Sequence, residues 1–71
     1  MLTVVKIDGE KVRAAREERF LSQRELADRA SINHNTVWRI EGGGPVEVHP
    51  RTIRKIAEAL SVDPATLTPE E

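Results

Sequence analysis

Residues 21–43 of this 71-residue chain read LSQRELADRASINHNTVWRIEGG, and this stretch decides the fold. Residues 22–25 form a Ser-x-x-Glu capping box, which predicts a helix over residues 23–30. Asn33 is a second helix N-cap and predicts a helix over residues 34–41. Because only a short turn separates two short helices, we expect them to cross steeply and to bury a shared apolar face.

The outward face of the second helix carries planar polar groups and one aromatic ring. His34, Asn35, Trp38 and Arg39 lie at helical spacings that place them on one surface. Asn pairs bidentately with adenine and Arg with guanine, and a helix fits the major groove of DNA. We therefore expect base contacts from His34, Asn35 and Arg39. Trp38 has two open interpretations: it covers residues 42–49 as peripheral core, or it touches sugars and thymine methyl groups.

Polar residues around the predicted helix starts are the candidates for contact with the DNA backbone. Free backbone N–H groups and neighbouring polar side chains at a helix N-terminus suit phosphate oxygens. A further helix is predicted over residues 51–60, where Pro50 is suited to the first turn. The phosphate contacts that we expect are those of Gln23, Asn33, Arg24, Arg51 and Thr52.

The remaining sequence predicts helices at both ends and two strand-like runs. Asp8 and Gly9 break the first strand-like run, and Asp8 can cap a helix over residues 10–19, which are rich in good helix formers. Asp63 with Pro64 opens a last helical turn. Residues 3–7 and 46–49 are β-branched or alternating, and each run is too short to be stable alone. The two runs either pair with each other against the helices or form two irregular arms.

Charge and composition narrow the function classes. The net charge is −1, which alone argues against binding to nucleic acid. However, residues 1–56 contain all 11 basic residues and 8 of the 12 acidic ones, a net charge of +3, whereas residues 57–71 carry −4. This uneven distribution of charge is compatible with a nucleic-acid partner for the basic part of the chain, but ordinary scatter of surface charge explains it equally well. The weak basicity predicts modest nonspecific affinity for DNA.

The sequence also argues against several other classes of protein: secreted, membrane-spanning, metal-binding and catalytic ones. A chain of this length forms one domain, 1–71, with a core over 8–67 and a frayed tail over 68–71. It has no cysteine, no long apolar run and no signal peptide, which favours a cytoplasmic protein without disulfides or a membrane span. His34 and His49 lack the spacing of a metal site, and the glycines at 42–44 end a helix instead of opening one. We expect no catalysis, no metal and no cofactor.

Two sequence blocks together resemble a known family. The first is L-S-Q-x-E-L-A at 21–27, then Ile32, then T-V-x-R-I-E-x-G at 36–43; the second is I-x-x-I-A-x-A-L at 53–60. With both blocks in order, residues 8–67 resemble the Cro/lambda-repressor type of helix-turn-helix protein, the Xre family. The resemblance implies an all-α, compact bundle of five helices whose second and third helices read DNA. It also implies a phosphate contact by Gln23.

The resemblance implies a structural ion pair as well, and the chain departs from the family pattern in three places. Arg16 and Glu41 occupy positions that often join the first helix to the end of the third, which would fix the reading helices. Ser31 replaces a common turn glycine, which predicts modest strain. Phe20 lies where Gly or Lys often ends the first helix, so we expect a different helix end. The segment 42–49 is apolar where the family usually has a polar loop.

Two functions remain as hypotheses. The first is a sequence-specific double-stranded DNA-binding transcriptional regulator, most simply a repressor that acts as a homodimer on a two-fold symmetric operator. The second is a helical protein-interaction module, such as an antitoxin or a regulatory subunit, whose partner covers the face of the last two helices. The near-neutral charge and the acidic end of the chain support the second hypothesis.

Overall fold

The computed structural model describes residues 3–69 as helices arranged around an aliphatic core, with a two-stranded sheet on one side. In chain order the elements are β1 (Val5–Asp8), α1 (Gly9–Glu18), α2 (Gln23–Ala30), α3 (His34–Gly42), β2 (Pro45–Val48), α4 (Pro50–Leu60) and a 3₁₀ turn, Pro64–Leu67. The predictions of residues 23–30 and 34–41 as helices are confirmed to within one residue.

Side-chain caps set where the helices begin. The Ser22 hydroxyl accepts a hydrogen bond from the Glu25 backbone N–H at 3.0 Å, and the Glu25 carboxylate accepts one from the Ser22 N–H at 2.8 Å. The bond from the Ser22 backbone lowers the pKa of Glu25. Asp8, Asn33 and Asp63 each accept a hydrogen bond from the backbone N–H two residues further on. The predicted N-caps are therefore confirmed, and each satisfies a helix N–H that would otherwise lack a partner.

The two strand-like runs pair with each other, so the alternative of two irregular arms is wrong. β1 and β2 are antiparallel, with Val5 opposite Val48 and Asp8 opposite Pro45. The strands are displaced by one or two residues from the predicted runs, 3–7 and 46–49. Ile7 and Val48 are buried in the core, and this anchorage explains how so short a hairpin persists.

The prediction of five helices is wrong: the described residues form four α-helices, and the fifth segment is a single 3₁₀ turn over 64–67. Its cap, Asp63, forms as predicted. Thr68, the residue that follows the turn, has an extended backbone with φ −84° and ψ 152°. A residue that precedes proline disfavours the helical region, and Thr68 precedes Pro69. Leu67, the last residue of this turn, is nevertheless completely buried in the core.

The core is aliphatic throughout and draws on every element. Ala27 on α2 is buried in this core together with Leu26 and Ala30 of the same helix. No helix in the described range 3–69 is long and apolar enough to cross a membrane. The large side chains with the least exposure are those of Ile7, Leu26, Ile40, Ile56, Leu60, Leu67, Val12 and Val37.

The end of the described chain is attached to α1. The Lys11 ammonium donates a hydrogen bond to the Thr68 carbonyl oxygen at 2.9 Å, and the Thr68 hydroxyl donates one to Ala65 at 2.8 Å. Of the segment 68–71, which we expected to be frayed, residues 70 and 71 lie outside the described residues.

Ser31 and Phe20, at two turn positions where the family often has glycine, both adopt the left-handed backbone conformation. Ser31, after α2, has φ 59° and ψ 43°, and Phe20, after α1, has φ 56°. The helix α1 ends at Glu18, one residue before the predicted end. The Phe20 side chain is 92% exposed, so no packing within the described chain compensates for its backbone conformation.

We expect Phe20→Gly to stabilise the protein. A non-glycine residue in the left-handed region costs about 1–2 kcal/mol, of which the greater unfolded-state freedom of glycine offsets part, so the net gain should be about 0.5–1 kcal/mol. Thermal unfolding followed by circular dichroism measures it. Phe20→Ala is the control, because it removes the same exposed ring and keeps the strain. Equal unfolding temperatures for the two variants would contradict the prediction.

Candidate nucleic-acid interface

α2 and α3 form a helical pair whose inner faces are fully apolar. Leu26 on α2 and Val37 and Ile40 on α3 are completely buried. The left-handed turn at Ser31 reverses the chain, and the Asn33 cap restarts the helix. With the buried positions fixed at one side of α3, helical periodicity turns the remaining positions towards solvent.

The outward side of α3 carries the three predicted base-contact residues and, beside them, Trp38. His34 and Asn35 are exposed in its first turn, and Trp38 and Arg39 are exposed one turn later. Within residues 3–69, no hydrogen bond or ion pair of the structure engages these four side chains. Their donors and acceptors are therefore solvated and available to a ligand, and none of the four is packed inside the fold.

Trp38 does not belong to the core. The indole is 66% exposed and lies beside Arg13 and Gln23, at the rim between α1 and α3. A ring of this size retains a large apolar surface in water, which is uncommon for a tryptophan without a partner. The exposure favours a contact with a ligand over the alternative in which Trp38 covers residues 42–49.

The predicted phosphate-contact residues lie at the starts of three helices. Arg24 is exposed in the first turn of α2, and Asn33 is exposed at the cap of α3. The Asn33 side-chain oxygen is occupied by the cap, which leaves its NH₂ group for an acceptor. At the start of α4, Arg51 is exposed and Thr52 is half-buried. No side chain caps α4, because His49 at the cap position makes no such hydrogen bond.

A carboxylate shared by two donors joins three helices behind this surface. Arg16 on α1 donates to both Glu41 oxygens, at 2.7 and 3.0 Å, and Gln23 Nε2 donates to Glu41 Oε1 at 3.0 Å. Arg16 also donates to the Leu21 carbonyl oxygen at 2.7 Å. The side chains of Arg16 and Glu41 are only 13% and 3% exposed. The hydrogen bonds that Arg16 donates to Glu41 raise the pKa of Arg16 against the opposing effect of burial.

The contact between Gln23 and Glu41 has no signal in the sequence. Gln23 was predicted as a phosphate contact from its place at the start of a helix, and its second amide N–H remains for that role. Glu41 is 18 residues away, at the end of the next helix. Arg13, which lies beside Gln23 and Trp38, was not among the predicted site residues, although its three-residue spacing from Arg16 places both on one side of α1.

The described residues contain no assembled metal site. Within residues 3–69, no three His, Cys, Asp or Glu side chains come together in a way that could hold a metal ion. In the same range, no buried side-chain nitrogen or oxygen lacks a hydrogen-bond partner.

A family model described as a helix-turn-helix domain matches residues 9–69. The chain belongs to the helix-turn-helix domain family. This match and the similarity to two proteins, RghR and C.AhdI, confirm the resemblance to Cro/lambda-repressor-type proteins. A helix-turn-helix relative is the HTH-type transcriptional repressor RghR from Bacillus subtilis, which is 43% identical over 54 residues. That alignment covers 76% of this chain and 40% of RghR.

Solved structures share the helix-turn-helix fold of this chain. The restriction-modification controller protein C.AhdI from Aeromonas hydrophila superposes with a TM-score of 0.75 at 31% identity, over 82% of this chain and 86% of C.AhdI. A hydroxyethylphosphonate dioxygenase superposes with a TM-score of 0.80 at 27% identity, over 93% of this chain. The match covers only 14% of the dioxygenase, so the likeness concerns one small part of that enzyme.

Proposed function

We propose that this chain is a sequence-specific double-stranded DNA-binding domain of a transcriptional regulator, most simply a repressor. The observation that carries the proposal is the outward face of α3, where the side chains of His34, Asn35, Trp38 and Arg39 are exposed and have no hydrogen bond or ion pair to any residue of the range 3–69. The family match and the similarity to a repressor support it. The proposal includes no catalytic step, metal or cofactor.

In this proposal α3 enters the major groove and α2 lies across the backbone. Asn35 and Arg39 carry the donor and acceptor groups that suit adenine and guanine edges, and His34 lies in the N-terminal turn, which would come nearest to the bases. The flanking helix starts supply contacts to phosphates, which fix the register of the protein on the duplex. The residues that we assign to phosphates are Gln23, Arg24, Asn33, Arg51 and Thr52.

A single reading helix covers few base pairs, so we propose that the protein acts as a homodimer on a two-fold symmetric operator. Half-sites would then lie about 34 Å apart, one turn of the duplex, or a multiple of that distance. In vitro selection of bound DNA from a random library tests both points. The expected result is an inverted repeat whose half-sites have helical spacing, and recovery of no sequence preference would contradict the proposal.

We expect Arg39→Ala to relax specificity at one base pair of each half-site. The loss of a bidentate contact to guanine should reduce discrimination at that position by about 1–3 kcal/mol. Selection of bound DNA with the variant measures the effect. Arg24→Ala is the control, because the loss of a phosphate contact weakens binding to all sequences alike. An Arg39→Ala protein that keeps every base preference would contradict the assignment.

A binding assay with the bare domain distinguishes this proposal from the protein-interaction module. Selective, salt-sensitive binding to DNA in the absence of any other protein supports the regulator. No binding at low salt would favour a protein partner on the face formed by α4 and the 3₁₀ turn.

A further inference from the structure

A small open hollow lies where α1, α2 and α3 meet. It has a volume of about 280 Å³. Its lining includes Gln23 and Trp38, which belong to the proposed DNA-binding surface. It also includes Arg13 of α1, to which no DNA contact has been assigned. The complete lining is Arg13, Arg16, Gln23, Trp38, Glu41 and Gly42.

The charge in this hollow comes from Arg13. Arg16 and Glu41 are bound to each other, so their charges compensate. Arg13 is 63% exposed and makes an ion pair through Nε with Glu17, at 3.2 Å and one helical turn away. Such exposed pairs are weak, and this one leaves the outer guanidinium N–H groups unused. An anion in the hollow can therefore engage Arg13 without breaking any buried contact.

The other walls suit a sugar-phosphate chain. Gln23 is held by Glu41 through one amide N–H, which leaves its second N–H as an oriented donor. The exposed Trp38 ring supplies an apolar surface of the size of a deoxyribose. Arginine is well suited to phosphate, because its planar group offers paired donors. The hollow thus combines a cation, an oriented amide donor and an apolar wall.

We propose that this hollow binds a backbone phosphate of the DNA, with Arg13 as the cationic ligand and Trp38 against the adjoining sugar. The inference rests on the proposed function. If α3 lies in the major groove, its α1 side faces one of the two flanking strands, and the hollow lined by Trp38 of α3 and Arg13 of α1 lies on that side. A backbone phosphate is the same at every base pair, so Arg13 contributes affinity and register but no base preference.

The test compares the salt dependence of DNA binding by the wild type, Arg13→Ala and Arg29→Ala. Arg29 is the matched control, an exposed arginine at the other end of α2. The loss of one phosphate contact should reduce the slope of log K against log salt by about 0.9. The advantage of the wild type over Arg13→Ala should therefore shrink about 3.5-fold between 50 and 200 mM salt. Arg29→Ala should keep the wild-type slope.

A second pair of variants tests Arg13 without removing it. Glu17→Gln frees Arg13, whereas Glu18→Gln removes the same charge from a neighbouring residue that pairs instead with Arg19. We expect Glu17→Gln to bind DNA more tightly than Glu18→Gln. Trp38 is the only tryptophan of the chain, so its fluorescence should change when DNA fills the hollow.

The outcomes separate this inference from the proposed function. A wild-type protein that binds no DNA contradicts the proposed function itself. Wild-type binding with equal salt slopes for Arg13→Ala and Arg29→Ala overturns the phosphate site alone. Equal affinities of Glu17→Gln and Glu18→Gln, or Trp38 fluorescence that is unchanged by saturating DNA, also overturn it.

Discussion

Gly9→Ala is expected to lower the free energy of unfolding by about 3 kcal/mol. Gly9 is buried at the first position of α1, where it meets the last turn of α3. A Cβ atom there would overlap the Ile40 carbonyl oxygen, and it would lie 2.9 Å from the Ile40 carbonyl carbon and 3.1 Å from the Glu41 Cα. All three are backbone atoms, which cannot swing aside as a side chain does. The two helices would have to separate.

The measurement is thermal unfolding, in which about 3 kcal/mol corresponds to a fall of about 12–24 °C for a domain of this size. Gly42→Ala is the matched control, because a Cβ at Gly42 meets no atom within 4 Å. It places a better helix former in α3, so we expect it to be as stable as the wild type or slightly more stable. If the two variants unfold at the same temperature, the close approach of α1 and α3 does not limit stability.

Gly9 also illustrates what the sequence could and could not predict. The pair Asp8 and Gly9 was interpreted as a break after the first strand, with Asp8 as a cap, and that cap is present. The actual demand on Gly9 comes from Ile40, which is distant in the chain. Caps depend on residues two or three positions apart, so sequence reveals them, whereas close packing of backbones depends on tertiary geometry.

The same distinction holds for the helix count and for the candidate site. The outward set on α3 follows from the helical period once Val37 and Ile40 are assigned to the core. The residues after Asp63 predicted only one last helical turn, as the structure has it, and the fifth helix was implied by the family resemblance alone. The link from Gln23 to Glu41 required the relative placement of two helices, which no periodic pattern contains.

Glu41→Ala is expected to have the largest effect of the substitutions considered, a loss of about 3–5 kcal/mol of the free energy of unfolding. It removes two hydrogen bonds from the guanidinium of Arg16, a side chain that is only 13% exposed, and leaves a charge without its partner. Because folding raises the pKa of Arg16, its guanidinium contributes this stabilisation in full at neutral pH, which lies below the ordinary pKa of arginine. Denaturant unfolding at neutral pH therefore measures the whole effect.

The double variant Arg16→Met/Glu41→Leu separates stability from the positioning of the DNA-binding surface. Replacement of a buried ion pair by apolar residues of similar size is often neutral or stabilising, so this variant should recover most of the stability that Glu41→Ala loses. It provides no acceptor for Gln23, whose amide is held by Glu41 in the wild type. We therefore expect near-wild-type unfolding together with weaker DNA binding. Full recovery of DNA binding would show that the Arg16–Glu41 pair acts on stability alone, and an unstable double variant would show that its geometry cannot be replaced by packing.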